Sequence, residues 1–252
     1  MLRSLFRGTS RDFLEWLLPS ECLLCRAATE SNPDNVPPTI CIDCLEIVNP
    51  PEMVPCRNCG ASLGPHADPS GKCPHCRGRR FCFKSVTCLA MYEGALQTLL
   101  LKGKWSSSSN NIRTLAKVFV DVRTGQLRSL NIDRIIPIPQ IWHRRIMRNF
   151  NPAALFASEI GQSLKKPVDV NILRRSRGTQ LQKRASVSNR RASQRNSFRI
   201  RDSHIVYGKR ILLVDDVLTT GATCDEAVRM LTQAGVKQCH VAVLIRVPGH
   251  AA

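Results

Sequence analysis

Residues 211–223 read Ile-Leu-Leu-Val-Asp-Asp-Val-Leu-Thr-Thr-Gly-Ala-Thr. Four apolar residues run into two adjacent carboxylates. A segment of small residues follows, and residues 224–234 then carry a helical pattern. The apolar run predicts a buried strand of a parallel sheet, covered on both faces. The small-residue segment falls where that strand turns into the helix. Backbone N–H groups there point toward a ligand, Gly221 permits close approach, and the helix N-terminus adds positive potential, so the turn suits an anion. Asp215 and Asp216 would repel a bare phosphate. They suit a phosphorylated ligand that also offers hydroxyl groups, such as a ribose phosphate. The plain alternative is an acidic turn that caps an ordinary helix, but the order strand, acidic pair, Gly/Thr loop is the order such chemistry requires.

The segment resembles the phosphoribosyl pyrophosphate (PRPP) signature of type I phosphoribosyltransferases. The resemblance implies that Asp215 and Asp216 hold the ribose 2′ and 3′ hydroxyls as the catalytic pair. It also implies that Thr219, Thr220, Gly221, Ala222 and Thr223 wrap the 5′-phosphate.

Working outward, strand and helix patterns alternate. Strands are expected at 85–92, 134–139, 210–214 and 238–246, and an extended segment at 168–173. Helices are expected at 95–101, 112–123, 151–163 and 222–235, with 106–111 as a polar loop. Asn151 reads as a helix cap with Pro152 in the first turn, and Gly235 as a helix stop. The stretch 174–197 reads as a mobile basic loop continued by a short helix. Alternation of this kind gives a parallel sheet with right-handed crossovers, and ligands of such sheets bind beyond the carboxyl ends of the strands.

The 252 residues allow one large domain, or a small module plus a standard one, and an apolar fraction of 43% supports a core. The net charge is +18. Between Arg174 and Arg201 there are ten Lys or Arg residues and no Asp or Glu. Such a field favours anionic partners, whether nucleic acid, phosphorylated substrate or anionic membrane, although a merely solvated basic face has the same composition. No apolar run is long enough to span a bilayer. Residues 1–18 carry Arg3, Arg7 and Arg11, but Asp12 and Glu15 interrupt the apolar part, so an amphipathic helix is expected in place of a signal peptide. A cytoplasmic location follows, and with it reduced thiols.

Eight of the twelve cysteines form four Cys-x-x-Cys pairs: Cys22 and Cys25, Cys41 and Cys44, Cys56 and Cys59, Cys73 and Cys76. Two such knuckles complete a tetrahedral four-thiolate zinc site. Sequential pairing gives one site from Cys22 to Cys44 and another from Cys56 to Cys76. A cross-braced arrangement, in which the first and third pairs share an ion, satisfies the same spacing. The stretches between are poor in core residues, so metal should supply much of the module's stability. Four thiolates leave no open position, which makes the zinc structural. His66 and His75 read as surface residues. Cys82, Cys88 and Cys239 read as small core residues in strand-like surroundings. Cys224 opens a helix, where a thiol pKa can fall, and reads as packing.

A cysteine module followed by a phosphoribosyltransferase-type domain resembles the ComF family, which is linked to natural competence and the import of single-stranded DNA. Leu18-Pro-Ser-Glu-Cys-Leu-Leu-Cys25 is similar to the family's opening knuckle and Cys56-Arg-Asn-Cys59-Gly60 to its second. Residues 91–105 resemble its Tyr-x-Gly…Leu-Lys segment, with Gly103 early. Ile136-Pro-Ile-Pro139, the arginines beyond it and Phe150-Asn151 resemble its Val-Pro-Val-Pro…Arg-Gly-Phe-Asn-Gln segment. Arg177-x-Thr179-x-x-Gln182 resembles its Arg-x-Thr-x-x-Gln loop. Where the family has Gly-Phe-Asn-Gln, this chain has Asn149-Phe150-Asn151-Pro152. Asparagine tolerates the left-handed backbone that glycine would supply.

The fold class expected is α/β, a type I phosphoribosyltransferase-like parallel sheet flanked by helices, with a small N-terminal Cys-rich zinc-binding module. The boundaries expected are an amphipathic helix at 1–20, a double zinc-knuckle module at 21–80 and a phosphoribosyltransferase-like domain at 81–252. The resemblance implies PRPP with Mg²⁺ as ligand. Arg144, Arg145 and Arg148 would clamp the diphosphate, and Arg177 and Gln182 would lie on a loop that closes over it. It further implies a role in DNA uptake, with single-stranded DNA and competence helicase or processing proteins as partners. If the protein is an enzyme, it is a glycosyltransferase acting through an oxocarbenium-like centre at ribose C1. No residue stands out as a general base, and nothing defines an acceptor. Two other functions fit the sequence. One is a nucleotide-salvage phosphoribosyltransferase. The other is a non-enzymatic, zinc-dependent single-stranded nucleic-acid-binding protein using the stretch 174–201, whose one aromatic residue, Phe198, offers little for base stacking.

Overall fold

The computed structural model describes residues 21–22, 25–29, 40–50, 53–64, 73–76, 79–92, 108–140, 149–176 and 197–247. In chain order they form α1 (Ile42–Val48), β1 (Val54–Pro55), β2 (Ser62–Leu63), β3 (Val86–Met91), α2 (Ser109–Ser129), β4 (Arg134–Pro137), α3 (Pro152–Leu164), β5 (Leu173–Arg175), β6 (Phe198–Ile200), β7 (Arg210–Leu218), α4 (Ala222–Gln233) and β8 (Gln238–Arg246). The expected helices at 1–20 and 95–101 lie outside the described residues, as do His66 and residues 177–196 of the basic stretch.

The central sheet has the order β3-β8-β7-β4, and every pair in it is parallel. Its strands alternate between two apolar faces, as a sheet covered on both sides must. Leu89, Ile135, Leu212, Val214, Ala242 and Leu244 face α2 and α3, where the rings of Phe119 and Phe156 meet edge to face at 4.7 Å. Ile136, Ile211, Leu213, Val241 and Val243 face Ala227, Val228 and Leu231 of α4. Each of the Val, Leu, Ile and Phe side chains removed from water contributes roughly 1.5–3 kcal/mol. Both helix layers are therefore needed to hold β7 and β8 in the middle.

The helix starts follow local chemistry. The Asn151 side chain accepts from Ala153 N at 3.1 Å and donates to Ile138 O at 3.0 Å, so it caps α3 and ties it to the exit of β4. Pro152 takes the first turn, as expected. Asn149 has φ 53°, the left-handed conformation anticipated for it. The helix expected at 112–123 is longer, and the polar loop expected at 106–111 is partly helical. Ser108 accepts from Asn110 N at 3.2 Å and starts α2 at Ser109, whose first turn is polar because it is solvent-facing.

Two further readings are corrected. The signature strand, expected to stop at Val214, runs to Leu218, because β8 is long enough to pair with it through Asp215 and Val217. The basic stretch, expected to begin as a loop at Arg174, begins inside β5, which pairs antiparallel with β6 and closes the base of the stretch. The extended segment expected at 168–173 is a parallel bridge from Val168 to Ile135, followed by β5. Among the described residues no helix is long and apolar enough to cross a membrane.

Candidate functional site

β7 ends at the carboxyl edge of the sheet, paired with β8 to its last residue, and the acidic pair lies close to that edge. The Asp215 carboxylate accepts from Asp216 N at 3.0 Å, and that of Asp216 from Val217 N at 3.1 Å. Burial pushes the Asp215 carboxyl well above the usual carboxylate range, and the neighbouring charge of Asp216 pushes the same way. The guanidinium of Arg175 opposes both. An acidic pair held like this gains by meeting hydroxyl donors or a cation, which relieve the like-charge contact.

Leu218 is buried, and the chain then surfaces at Thr219 and Thr220. Gly221 adopts φ 79° and forms the N-cap of α4. Gly221 has no side chain with which to cap that helix, so N-terminal N–H groups are left to face whatever occupies the turn. A Cβ at Gly221 would lie 3.0 Å from Phe81 Cε1, so glycine answers both the backbone and the space. Thr220 Oγ1 accepts weakly from Ala222 N at 3.4 Å. Asp215, Asp216, Thr219, Thr220, Gly221, Ala222 and Thr223 thus form one continuous edge between β7 and α4.

Cys224, one residue further, is buried, with its Sγ 3.9 Å from Asp215 Oδ2. Burial raises its thiol pKa and Asp215 raises it further, which outweighs the lowering a helix start can give. It is a packing residue. Cys88 and Cys239 are buried as expected. Cys82 is exposed, contrary to expectation, because residues 82–84 form bends and not a strand. Arg144, Arg145, Arg148, Arg177 and Gln182 lie outside the described residues.

Arg175 is a site residue that sequence reasoning missed. It closes β5 and donates from Nε to Pro139 O at 2.9 Å, at the exit of β4. Its guanidinium lies 4.9 Å from the Phe198 ring centroid. In a stretch of ten basic residues nothing in the sequence distinguishes it. A second omission is Arg246, a lone charge ending an otherwise apolar strand. That position is itself a signal, because the carboxyl end of a parallel strand is where such sheets place function.

The eight paired cysteines assemble sequentially. Cys22, Cys25, Cys41 and Cys44 form one group and Cys56, Cys59, Cys73 and Cys76 another, with each group's sulfurs within 4.8 Å of one another. A tetrahedron with metal–sulfur bonds of about 2.3 Å has edges of about 3.8 Å. Cys25 and Cys41 are 3.6 Å apart, and Cys59 and Cys73 3.7 Å. Both groups therefore have the donors and dimensions of a four-thiolate metal site. Burial raises the Cys59 and Cys44 thiol pKa values, and the neighbouring cysteines add to it. A bound cation reverses that preference and releases the protons. The first group shares the core of α2 and α3 through Cys22, Cys44 and Val48, while the second packs on Met91 at the end of β3 and on Phe81.

A parallel sheet with an acidic pair and a glycine turn at its carboxyl edge is the arrangement of a type I phosphoribosyltransferase-like domain. The phosphoribosyl transferase domain family matches residues 151–251. Competence protein F of Haemophilus influenzae is 30% identical over 197 residues, covering 76% of this chain and 84% of that protein. The DNA utilization protein YhgH of Salmonella typhimurium is 28% identical over 233 residues, covering 91% of this chain and 98% of that one. The chain belongs to the ComF family. Among solved structures, the glutamine PRPP amidotransferase of B. subtilis matches 55% of this chain and 26% of its own, at 21% identity and a TM-score of 0.36.

Proposed function

We propose that the protein binds PRPP, or a related ribose 5-phosphate, at the β7–α4 edge, and that it acts in DNA uptake in the cytoplasm. The observation that carries this reading is the continuity of Asp215 and Asp216 with the glycine-opened start of α4. Carboxylates for ribose hydroxyls stand directly before N–H donors for a 5′-phosphate. The carboxylates also stabilise positive charge developing at ribose C1 as a diphosphate leaves. Arg144, Arg145 and Arg148 follow the β4 exit, to which Arg175 is bonded, and are assigned to the diphosphate, with its Mg²⁺. Arg177 and Gln182 are assigned to a closing loop. Each cysteine group is assigned one structural zinc, in a module spanning 21–80 that is joined to the domain at 81–252. Single-stranded DNA and competence helicase or processing proteins are the partners proposed.

Binding is tested by the thermal shift of the protein with PRPP and Mg²⁺. The midpoint should rise for the wild type and stay fixed for Asp216→Asn; equal shifts would remove the ribose assignment. Turnover is tested by diphosphate release with each common nucleobase. Release with one base would move the protein to nucleotide salvage, and PRPP binding without release would exclude that role. The acid-free basic stretch 174–201 favours a contribution from nucleic acid, which predicts single-stranded DNA binding that falls steeply with salt.

A further inference from the structure

Arg246 is 4% exposed, and the groups it donates to among the described residues are all carbonyl oxygens. Nε donates to Cys59 O at 3.1 Å, inside the second cysteine group. Nη1 donates to Leu218 O at 3.2 Å, to Thr219 O at 2.5 Å and to Val247 O. One guanidinium thus spans from a cysteine knuckle to the turn that follows the acidic pair. Burying a cation among dipoles is costly, and an apolar side chain of similar length would fill the same space. The placement therefore calls for a role other than packing.

Peptide geometry supplies that role. In a trans peptide the carbonyl of one residue and the N–H of the next point in opposite directions. Val247 N already holds the Leu218 carbonyl at 2.9 Å, so what Arg246 adds is the Thr219 carbonyl, and drawing that inward turns the N–H group of Thr220 outward, at an exposed residue of the turn. Other contacts join the same two regions. Phe81, which packs on the second cysteine group, also abuts Gly221 and stacks on Phe83 at 4.6 Å. The Asn58 amide donates to Cys76 Sγ at 3.3 Å and to Arg79 O at 2.8 Å, and the Arg79 guanidinium lies 5.4 Å from the Phe81 centroid. Cys82 N donates to Asp225 Oδ1 at 2.5 Å, in the first turn of α4. The first cysteine group shares a different core, with α2 and α3.

We propose that Arg246 is a positioning residue that fixes the peptide orientation of the 219–223 turn and couples it to the second cysteine group, so that the integrity of that group sets phosphate affinity at the turn. The affinity part rests on the reading of 219–223 as the phosphate turn; the orientation part does not.

Amide hydrogen exchange across 219–223, measured without ligand, and PRPP affinity, measured with Mg²⁺, separate the two. Arg246→Met should keep the fold by circular dichroism, exchange faster across 219–223 and bind PRPP roughly ten- to hundredfold more weakly, as loss of a charge-assisted bond to the turn requires. Arg246→Lys should fall between it and the wild type. Cys73→Ser should also speed exchange across 219–223, but not further in the Arg246→Met background, whereas Cys25→Ser in the first group should leave the turn unchanged. If Cys73→Ser fails to fold, the Arg246 pair and Cys25→Ser still decide the orientation claim. Wild-type exchange and affinity in Arg246→Met would overturn the inference and leave the PRPP site standing. Faster exchange with unchanged affinity would support the orientation claim and remove 219–223 as the phosphate turn.

Discussion

Replacing Gly221 with alanine tests whether the turn after the acidic pair is as constrained as its geometry indicates. At φ 79° a side chain costs roughly 1–2 kcal/mol of backbone energy. The new Cβ would also sit 3.0 Å from Phe81 Cε1, and easing that contact costs on the order of 1 kcal/mol. Alanine stiffens the unfolded chain and returns about 0.5 kcal/mol. The net loss is about 2 kcal/mol, which lowers the melting midpoint by roughly 4–8 °C in a protein of this size. Melting followed by circular dichroism measures it. A cycle with Phe81→Leu separates the two costs: trimming the ring should recover the contact share, about 1 kcal/mol, and leave the backbone share. Wild-type melting in Gly221→Ala would refute the argument, and so would complete recovery in the double variant, since the backbone term would then be absent.

Asp215→Asn should make the ligand-free protein more stable at neutral pH. Burial and Asp216 raise the Asp215 pKa in the folded state, so its stabilising proton is held at low pH and lost as pH rises through that raised value. The gap between variant and wild type should therefore widen as pH rises from the ordinary carboxylate range toward neutrality, and a constant gap in parallel melts would contradict this. Asp133 carries the opposite sign. Hydrogen bonds from Arg210 hold its carboxyl down to about 2, so its contribution is present above about pH 4 and disappears as pH falls toward 2. The pair is about one-third exposed, so solvent screening limits Asp133→Asn to about 1 kcal/mol at neutral pH, read by urea unfolding. Elemental analysis should find two zinc ions per chain and one in Cys73→Ser; a folded, metal-free protein would contradict the metal assignment.

The parts of the fold legible in the sequence were those with local causes. The runs at 211–214 and 238–246 are apolar enough to be strands only if covered on both faces, and Asn151-Pro152 announces α3 by cap chemistry alone. The cysteine knuckles gave the two groups, and their assembly resolved sequential against cross-braced pairing. What escaped was non-local. β5 and β6 are short strands whose pairing depends on residues far apart in the chain, and nothing in the composition of the basic stretch reveals it. Arg175 was hidden among like charges. Arg246 went unremarked at the end of the run 238–246, because its partners, the carbonyls of Cys59, Leu218 and Thr219, carry no side-chain signature. The strand expected around Cys82 is absent for the same reason: the bend at 82–84 is tied to α4 through Asp225.

The acidic pair and the turn beyond it are proposed to form one ribose-phosphate site. Titration calorimetry of the full chain with PRPP and Mg²⁺ tests it most directly, run beside Asp215→Asn/Asp216→Asn. Saturable binding near one ligand per chain is expected in the wild type, and none in the double variant, which stays folded. Absence of binding in the wild type, or undiminished affinity in the double variant, would contradict it.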